Sequence, residues 1–159
     1  MWEGRVAGLF IAPTAAAPMV EQQRVIVVAG RGLEGDRYFS AEGTWSATPG
    51  TGRHVTLIEE EAVEALAREH SIKIQAGAAR RNIITSGMPL NHLVGQDFAV
   101  GSVVLRGMRL CEPCAHLASL TKRGIVKGLV HRGGLRAEIV SGGEIRIGDV
   151  IRSVQSNAV

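Results

Sequence analysis

Cys111-Glu112-Pro113-Cys114, with His116 close behind, is the stretch of this chain that gathers the most reactive side chains, and it holds the only two cysteines. A thiolate serves as nucleophile, sulfur carrier or soft metal ligand according to its pKa and its neighbours. As a zinc site the stretch falls short: C-x-x-C plus one histidine is an incomplete tetrahedral shell, and no second C-x-x-C or H-x-x-H follows. As a redox couple it is similar to the C-x-x-C of thioredoxin-like proteins, whose nucleophile opens a helix after a βαβ lead-in that is faint here. In a third reading Cys114 works alone. Pro113 precedes it and a helical pattern follows, so its sulfur lies near the positive end of a helix dipole, which lowers a thiol pKa. Cys111 ends a strand pattern and packs as a small hydrophobe, and core packing of both thiols is the competing reading.

Four places offer groups for an anion: Asp36-Arg37, Arg81-Asn82, His131-Arg132 and Arg136. The planar guanidinium matches phosphate and carboxylate, whereas each arginine taken singly is also a surface charge or half of an ion pair. Asp36 and Arg37 fit a local salt bridge that fixes their turn. His131, closing an apolar run, fits a cation at a helix C-terminus. Convergence of these groups on Cys114 is what turns them into a site.

The elements that must position them read mostly as strands. Arg5 to Ala12 and Arg24 to Ala29 are β-branched runs bounded by Gly and Pro, with a proline-containing loop between. Gly30 to Tyr38 (G-R-G-L-E-G-D-R-Y) is a tight turn without a phosphate-loop Gly-Lys-Ser/Thr, and Ser40 to Arg53 is a surface loop around Trp45. A helix is expected from Thr56, where T-L-I-E has capping-box spacing and Ile58, Ala62, Val63, Leu66 and Ala67 recur at helical intervals. Glu59, Glu60 and Glu61 then complement its dipole and are structural. Strands resume at Arg81 to Thr85, Phe98 to Val100, Val103 to Leu110, Arg136 to Val140, Glu144 to Ile147 and Val150 to Val154. Phe98 to Val104 and Ile145 to Ile151 share a pattern with a Gly-polar corner, as in a bent or closed sheet. Leu117 to Val130 carries three- and four-residue spacing, predicting one or two short helices interrupted at Gly124 and ended by Arg132-Gly133-Gly134. The expected architecture is mainly β, a barrel-like sheet with a few short helices.

The 159 residues, 45% hydrophobic, predict a single domain spanning residues 1–159. Without an apolar run of membrane-spanning length or a signal-like start, a cytoplasmic location and no membrane partner are expected. Two cysteines are too few for a disulfide framework, which favours free thiols. The net charge of +3 comes from scattered basic residues with 4% aromatics, lacking the cationic stripe and stacking platforms of a nucleic-acid binder.

Taken in order, Gly30-Arg31-Gly32-Leu33-Glu34-Gly35-Asp36-Arg37-Tyr38, Arg81-Asn82-Ile83, Glu112-Pro113-Cys114-x-x-Leu117, His131-Arg132-Gly133-Gly134 and Gly148-Asp149-Val150 resemble the MOSC domain. This is the C-terminal domain of molybdenum cofactor sulfurases, also found as small stand-alone proteins, and the resemblance covers nearly the whole chain. It implies a β-rich barrel that binds the molybdenum cofactor (molybdopterin), or carries sulfur, through one cysteine. That residue is Cys114 by its match to the family's Pro-Cys position, which leaves Cys111 supplementary. Members that reduce N-hydroxylated compounds ligate molybdenum through this cysteine. The resemblance therefore implies Cys114 as catalytic residue and molybdenum ligand, with Asp36, Arg37, Arg81, Asn82, His131, Arg132 and Arg136 on the cofactor side. Its alternative is a persulfide carrier without turnover, in which Cys111 resolves the persulfide. A sulfur donor or an electron-transfer protein is the expected partner. The desulfurase domain of full sulfurases has no room in 159 residues, so pyridoxal phosphate is not expected, and neither is the extra N-terminal β domain of larger reductases.

Overall fold

The computed structural model describes residues 3–39, 54–111 and 125–154. Its strands are β1 (Glu3–Ile11), β2 (Val20–Glu21), β3 (Arg24–Val28), β4 (Gly32–Leu33), β5 (Val55–Glu59), β6 (Ile83–Ser86), β7 (Asp97–Val100), β8 (Val103–Leu110), β9 (Leu135–Ser141), β10 (Gly143–Arg146) and β11 (Val150–Ser153). The helices are α1 (Glu60–His70) and α2 (Ile125–Leu129), with 3₁₀ turns at Ala76–Ala79 and Leu90–Leu93. Seven strands in the order β11-β7-β8-β9-β5-β6-β1 close on themselves through the β1–β11 pair, and β2 adds to the far end of β1. A separate sheet runs β10-β3-β4. Closure leaves the seven strands without a free edge.

Alternation fills the barrel. Leu135, Ala137 and Ile139 of β9 point inward with Val103 and Leu105 of β8, Val55 and Leu57 of β5, Phe98, Val100 and Ile151. A second core lies outside the wall: Phe10, Ile58 and Ile84 pack under Ala62 and Leu66 of α1, Ile125 and Leu129 of α2, and Ala79. β5 and β6 are parallel and joined through α1, so the crossover helix lies over the strands it connects.

This arrangement corrects the reading of Thr56. Residues 55–59 are a strand, and α1 begins at Glu60 with Glu59 at its N-cap and no side-chain capping bond. Leu57 faces the barrel and Ile58 faces the second core, and both are fully buried. A strand buried on both faces reads as a continuous apolar run, which periodicity does not separate from a helix. Of the helical pattern after Cys114, α2 falls within the described residues; positions 112–124 lie outside them.

The two matched corners meet. Gly101 and Gly148 both have positive φ, 58° and 93°, and the Gly101 amide donates to the Val150 carbonyl at 2.9 Å. The repeated sequence pattern thus forms two adjacent corners: Gly101 turns β7 into β8 within the barrel, and Gly148 carries the chain from the β10-β3-β4 sheet into β11 of the barrel.

Candidate functional site

One row of polar groups crosses the outer face of the barrel. Thr56 is cross-strand partner to Arg136, and Arg136 to Arg109, so β5, β9 and β8 present these three side chains together. Asn82, just before β6, continues the row. Its Oδ1 accepts from the Thr56 amide at 3.1 Å and lies 3.2 Å from the Thr56 hydroxyl, while its Nδ2 donates to the Phe10 carbonyl at 3.1 Å. Asn82 is 2% exposed, so these bonds form away from water and bind β6 to β5 and β1.

Asp36 and Arg37 close the row beyond β1. The Arg37 amide donates to the Ala12 carbonyl at 2.7 Å, and Asp36 Oδ1 accepts from the Ala12 amide and from Arg37 Nη1, both at 3.1 Å. The ion pair expected to fix this turn is present, with Asp36 1% and Arg37 6% exposed. Burial makes such a pair costly to break from one side only. Arg37 also lies 3.5 Å from Met19 Sδ and stacks over Tyr38.

Arg81 is turned inward to the main chain. Nε donates to the Gly133 carbonyl at 2.8 Å, Nη2 to the Cys111 carbonyl at 3.1 Å and Nη1 to the Ala79 carbonyl at 3.2 Å. A single buried guanidinium thereby clamps the end of β8, the His131-Gly134 turn and the 3₁₀ turn before β6. Hydrogen bonds from a charged donor contribute about 1.5–3 kcal/mol each. The Cys111 amide donates to the Gly134 carbonyl at 2.7 Å, so the backbone leading into the Cys-Glu-Pro-Cys segment is held from both sides.

Arg136 is half-buried and Arg109 exposed, and among the described residues neither meets a carboxylate. Two like charges directly opposed across strands repel unless an anion lies between them. Further along, Arg132 pairs with Glu69 at 2.9 Å, the Asn91 amide donates to the His131 carbonyl at 2.9 Å, and His131 adopts φ 60°. These border a cleft that includes Glu59 and Glu61. Burial, and then the charge of Glu61, hold the Glu59 carboxyl above its ordinary range.

The model of the MOSC domain matches residues 45–152. The chain belongs to the MOSC domain family. That family is linked to molybdenum cofactor binding and to sulfur metabolism. Solved structures share the fold: the YuaD protein of Bacillus subtilis is 22% identical with a TM-score of 0.76, covering 98% of this chain and 100% of its own. YiiM from Geobacillus stearothermophilus is 12% identical with a TM-score of 0.74, over 98% of this chain and 77% of its own. YiiM from Escherichia coli is 17% identical with a TM-score of 0.66, over 100% and 72%. At these identities the likeness is one of MOSC architecture. No curated protein matches the sequence.

Within this MOSC barrel the residues singled out from sequence fall into groups. Asp36, Arg37, Asn82 and Arg136 share the polar row, Arg81 stands behind it, and His131 and Arg132 sit on the turn that Arg81 clamps. Cys114 lies outside the described residues. Cys111 is a buried free thiol. Sequence reasoning missed the roles of Thr56, Arg80 and Arg109. For Thr56 the signal was its place between Val55 and Leu57, an alternation that the helical spacing overrode. Among the described residues no helix is long and apolar enough to cross a membrane, and no cluster of His, Cys, Asp and Glu could hold a metal.

Proposed function

We propose that this MOSC protein binds the molybdenum cofactor and acts as an oxidoreductase-type protein in which Cys114 is the metal ligand. The observation that carries the reading is the Arg81 clamp. It fixes the main chain at Cys111, three residues before Cys114, against the His131-Gly134 turn, beside the buried Asp36, Arg37, Asn82 and Thr56 groups. A soft thiolate suits molybdenum, and the opposed Arg109 and Arg136 are the donor set an anionic phosphate would neutralise. In this reading Arg37 and Arg136 hold the cofactor's anionic part, Asp36 orients Arg37, and Arg81 and Asn82 position the strands. His131 and Arg132 border the site. When bound, the group supplies metal-centred redox chemistry, and an electron-transfer protein is the partner. Protein made in a cofactor-competent cytoplasm should carry molybdenum and pterin, and Cys114→Ala should lose the metal; unchanged loading in that variant would refute the ligand assignment.

A second reading makes the chain a persulfide carrier supplied by a sulfur-donor protein, in which the Cys111 thiolate attacks the inner sulfur of a Cys114 persulfide, forming the Cys111–Cys114 disulfide and releasing the outer sulfur as hydrosulfide. The free thiol of Cys111 at C-x-x-C spacing favours it. Intact mass after incubation with a cysteine desulfurase should show one added sulfur that Cys114→Ala lacks; no adduct counts against this reading.

A further inference from the structure

A cavity of about 710 Å³ opens beneath the 13–19 loop, apart from the polar row but touching it through Met19. Its walls are Phe10, Pro18, Met19, Ile74 and Ala78, with two cationic residues, Lys73 and Arg80, among the lining. That volume lies in the range of small-molecule sites, and an apolar body with few convergent polar groups is their usual composition.

Arg80 is held by the fold and still has donors to spare. Its Nη1 donates to the Ala17 carbonyl at 2.7 Å and its Nη2 to the Ala15 carbonyl at 2.8 Å, so the head group is held in place. A guanidinium has five N–H donors, and these bonds use two. Arg80 is half-buried and makes no ion pair among the described residues, since the nearby Asp36 is engaged by Arg37 and the Ala12 amide. Burial, and then Arg37, make the Arg80 cation less favourable than usual. Its backbone is left-handed, φ 61°, as the C-cap of the 3₁₀ turn Ala76–Ala79, which fixes where the side chain starts.

We infer that this cavity binds a small amphipathic oxyanion, an aromatic or branched apolar body against Phe10, Met19 and Ile74 with a carboxylate or phosphate on Arg80. The bound molecule lies next to Arg37 and therefore alongside the polar row. The inference does not depend on Cys114.

Calorimetric titration of the full chain with phenyl phosphate, benzoate and benzyl alcohol at fixed ionic strength tests it. One or both anions should bind, with benzyl alcohol at least about tenfold weaker, and the stronger anion identifies the head group. Arg80→Gln should weaken the anion about tenfold or more and leave benzyl alcohol unaffected. Ala16→Phe, on the exposed loop between the two residues whose carbonyls Arg80 grips, places a ring at the cavity mouth and should abolish binding. Arg152→Gln, at an exposed arginine paired with Glu3, and Cys114→Ala should both bind as the parent does. Equal affinity for all three probes, no binding of either anion, or full anion affinity in Ala16→Phe would overturn the inference. Loss of molybdenum loading in Cys114→Ala with phenyl phosphate or benzoate binding intact upholds it.

Discussion

The β7–β8 hairpin with the β10–β11 corner and the Asp36-Arg81-Asn82 region spend the same residue types in opposite ways. In the former, Arg106 pairs with Asp97 at 2.7 Å and Arg146 with Glu144 at 2.6 Å, all with side chains at least 32% exposed. Strand ladders hold that region, and its charges decorate it. In the latter, Asp36, Arg37, Arg81 and Asn82 are at most 7% exposed, and their bonds go mainly to backbone atoms of other segments. Side chains there replace the ladder. The lesson is that an arginine's worth depends on what it leaves behind: removing Arg106 returns two groups to water, whereas removing Arg81 strands three carbonyls away from it.

Substitutions in matched pairs sharpen this contrast. The largest effect is expected at Gly134, where φ is 106° and a Cβ would overlap the Leu57 carbonyl oxygen. Gly134→Ala should cost more than about 4 kcal/mol in urea unfolding, because backbone has nowhere to retreat. Arg81→Met should follow at about 3–5 kcal/mol, accompanied by faster hydrogen exchange at the Cys111 amide. Gly101→Ala strikes the Asp149 carboxylate, 2.6 Å from the added carbon, and a side chain can swing away, so about 1–2 kcal/mol is expected. A Gly101 loss matching that of Gly134 would erase the distinction between the regions. Arg106→Gln should shift the urea midpoint least of the four substitutions, with any difference shrinking as salt is added.

The smallest effect concerns pH. Burial and Glu61 raise the Glu59 pKa in the folded chain, so the folded state keeps that proton after the unfolded chain has released its own. Glu59 therefore lowers stability as pH rises from the ordinary carboxylate range through its raised folded value, and the penalty persists above it. Glu59→Gln should flatten that decline and be slightly more stable than the parent at neutral pH. A stability loss there, measured across a pH series, would show that the carboxylate is needed ionised.

Strand positions were legible because alternation is local: Val103 to Leu110 is predicted and observed with the same ends. The salt bridge at Asp36 and Arg37 was legible for the same reason, being between neighbours. Thr56 was not, since its capping-box spacing is sequence-local whereas its actual partner is Asn82, 26 residues away. Arg81 was recognised as a candidate, yet its partners at Cys111 and Gly133 are set by barrel closure, which no short pattern encodes. Arg80 and Arg109 gave no signal because exposure and strand register, not residue type, distinguish them from other arginines.

The left-handed turn at Arg80 also bears on how such sequences can drift in length. Arg80 reaches back to the loop at Ala15 and Ala17, while its immediate successor Arg81 reaches across to Cys111 and Gly133. A residue gained or lost between Ala79 and Asn82 would rotate one guanidinium into the other's place and shift Asn82 out of register with Thr56. Homologous chains of this kind are expected to vary in length in the 13–19 loop and to keep 79–82 free of insertions and deletions.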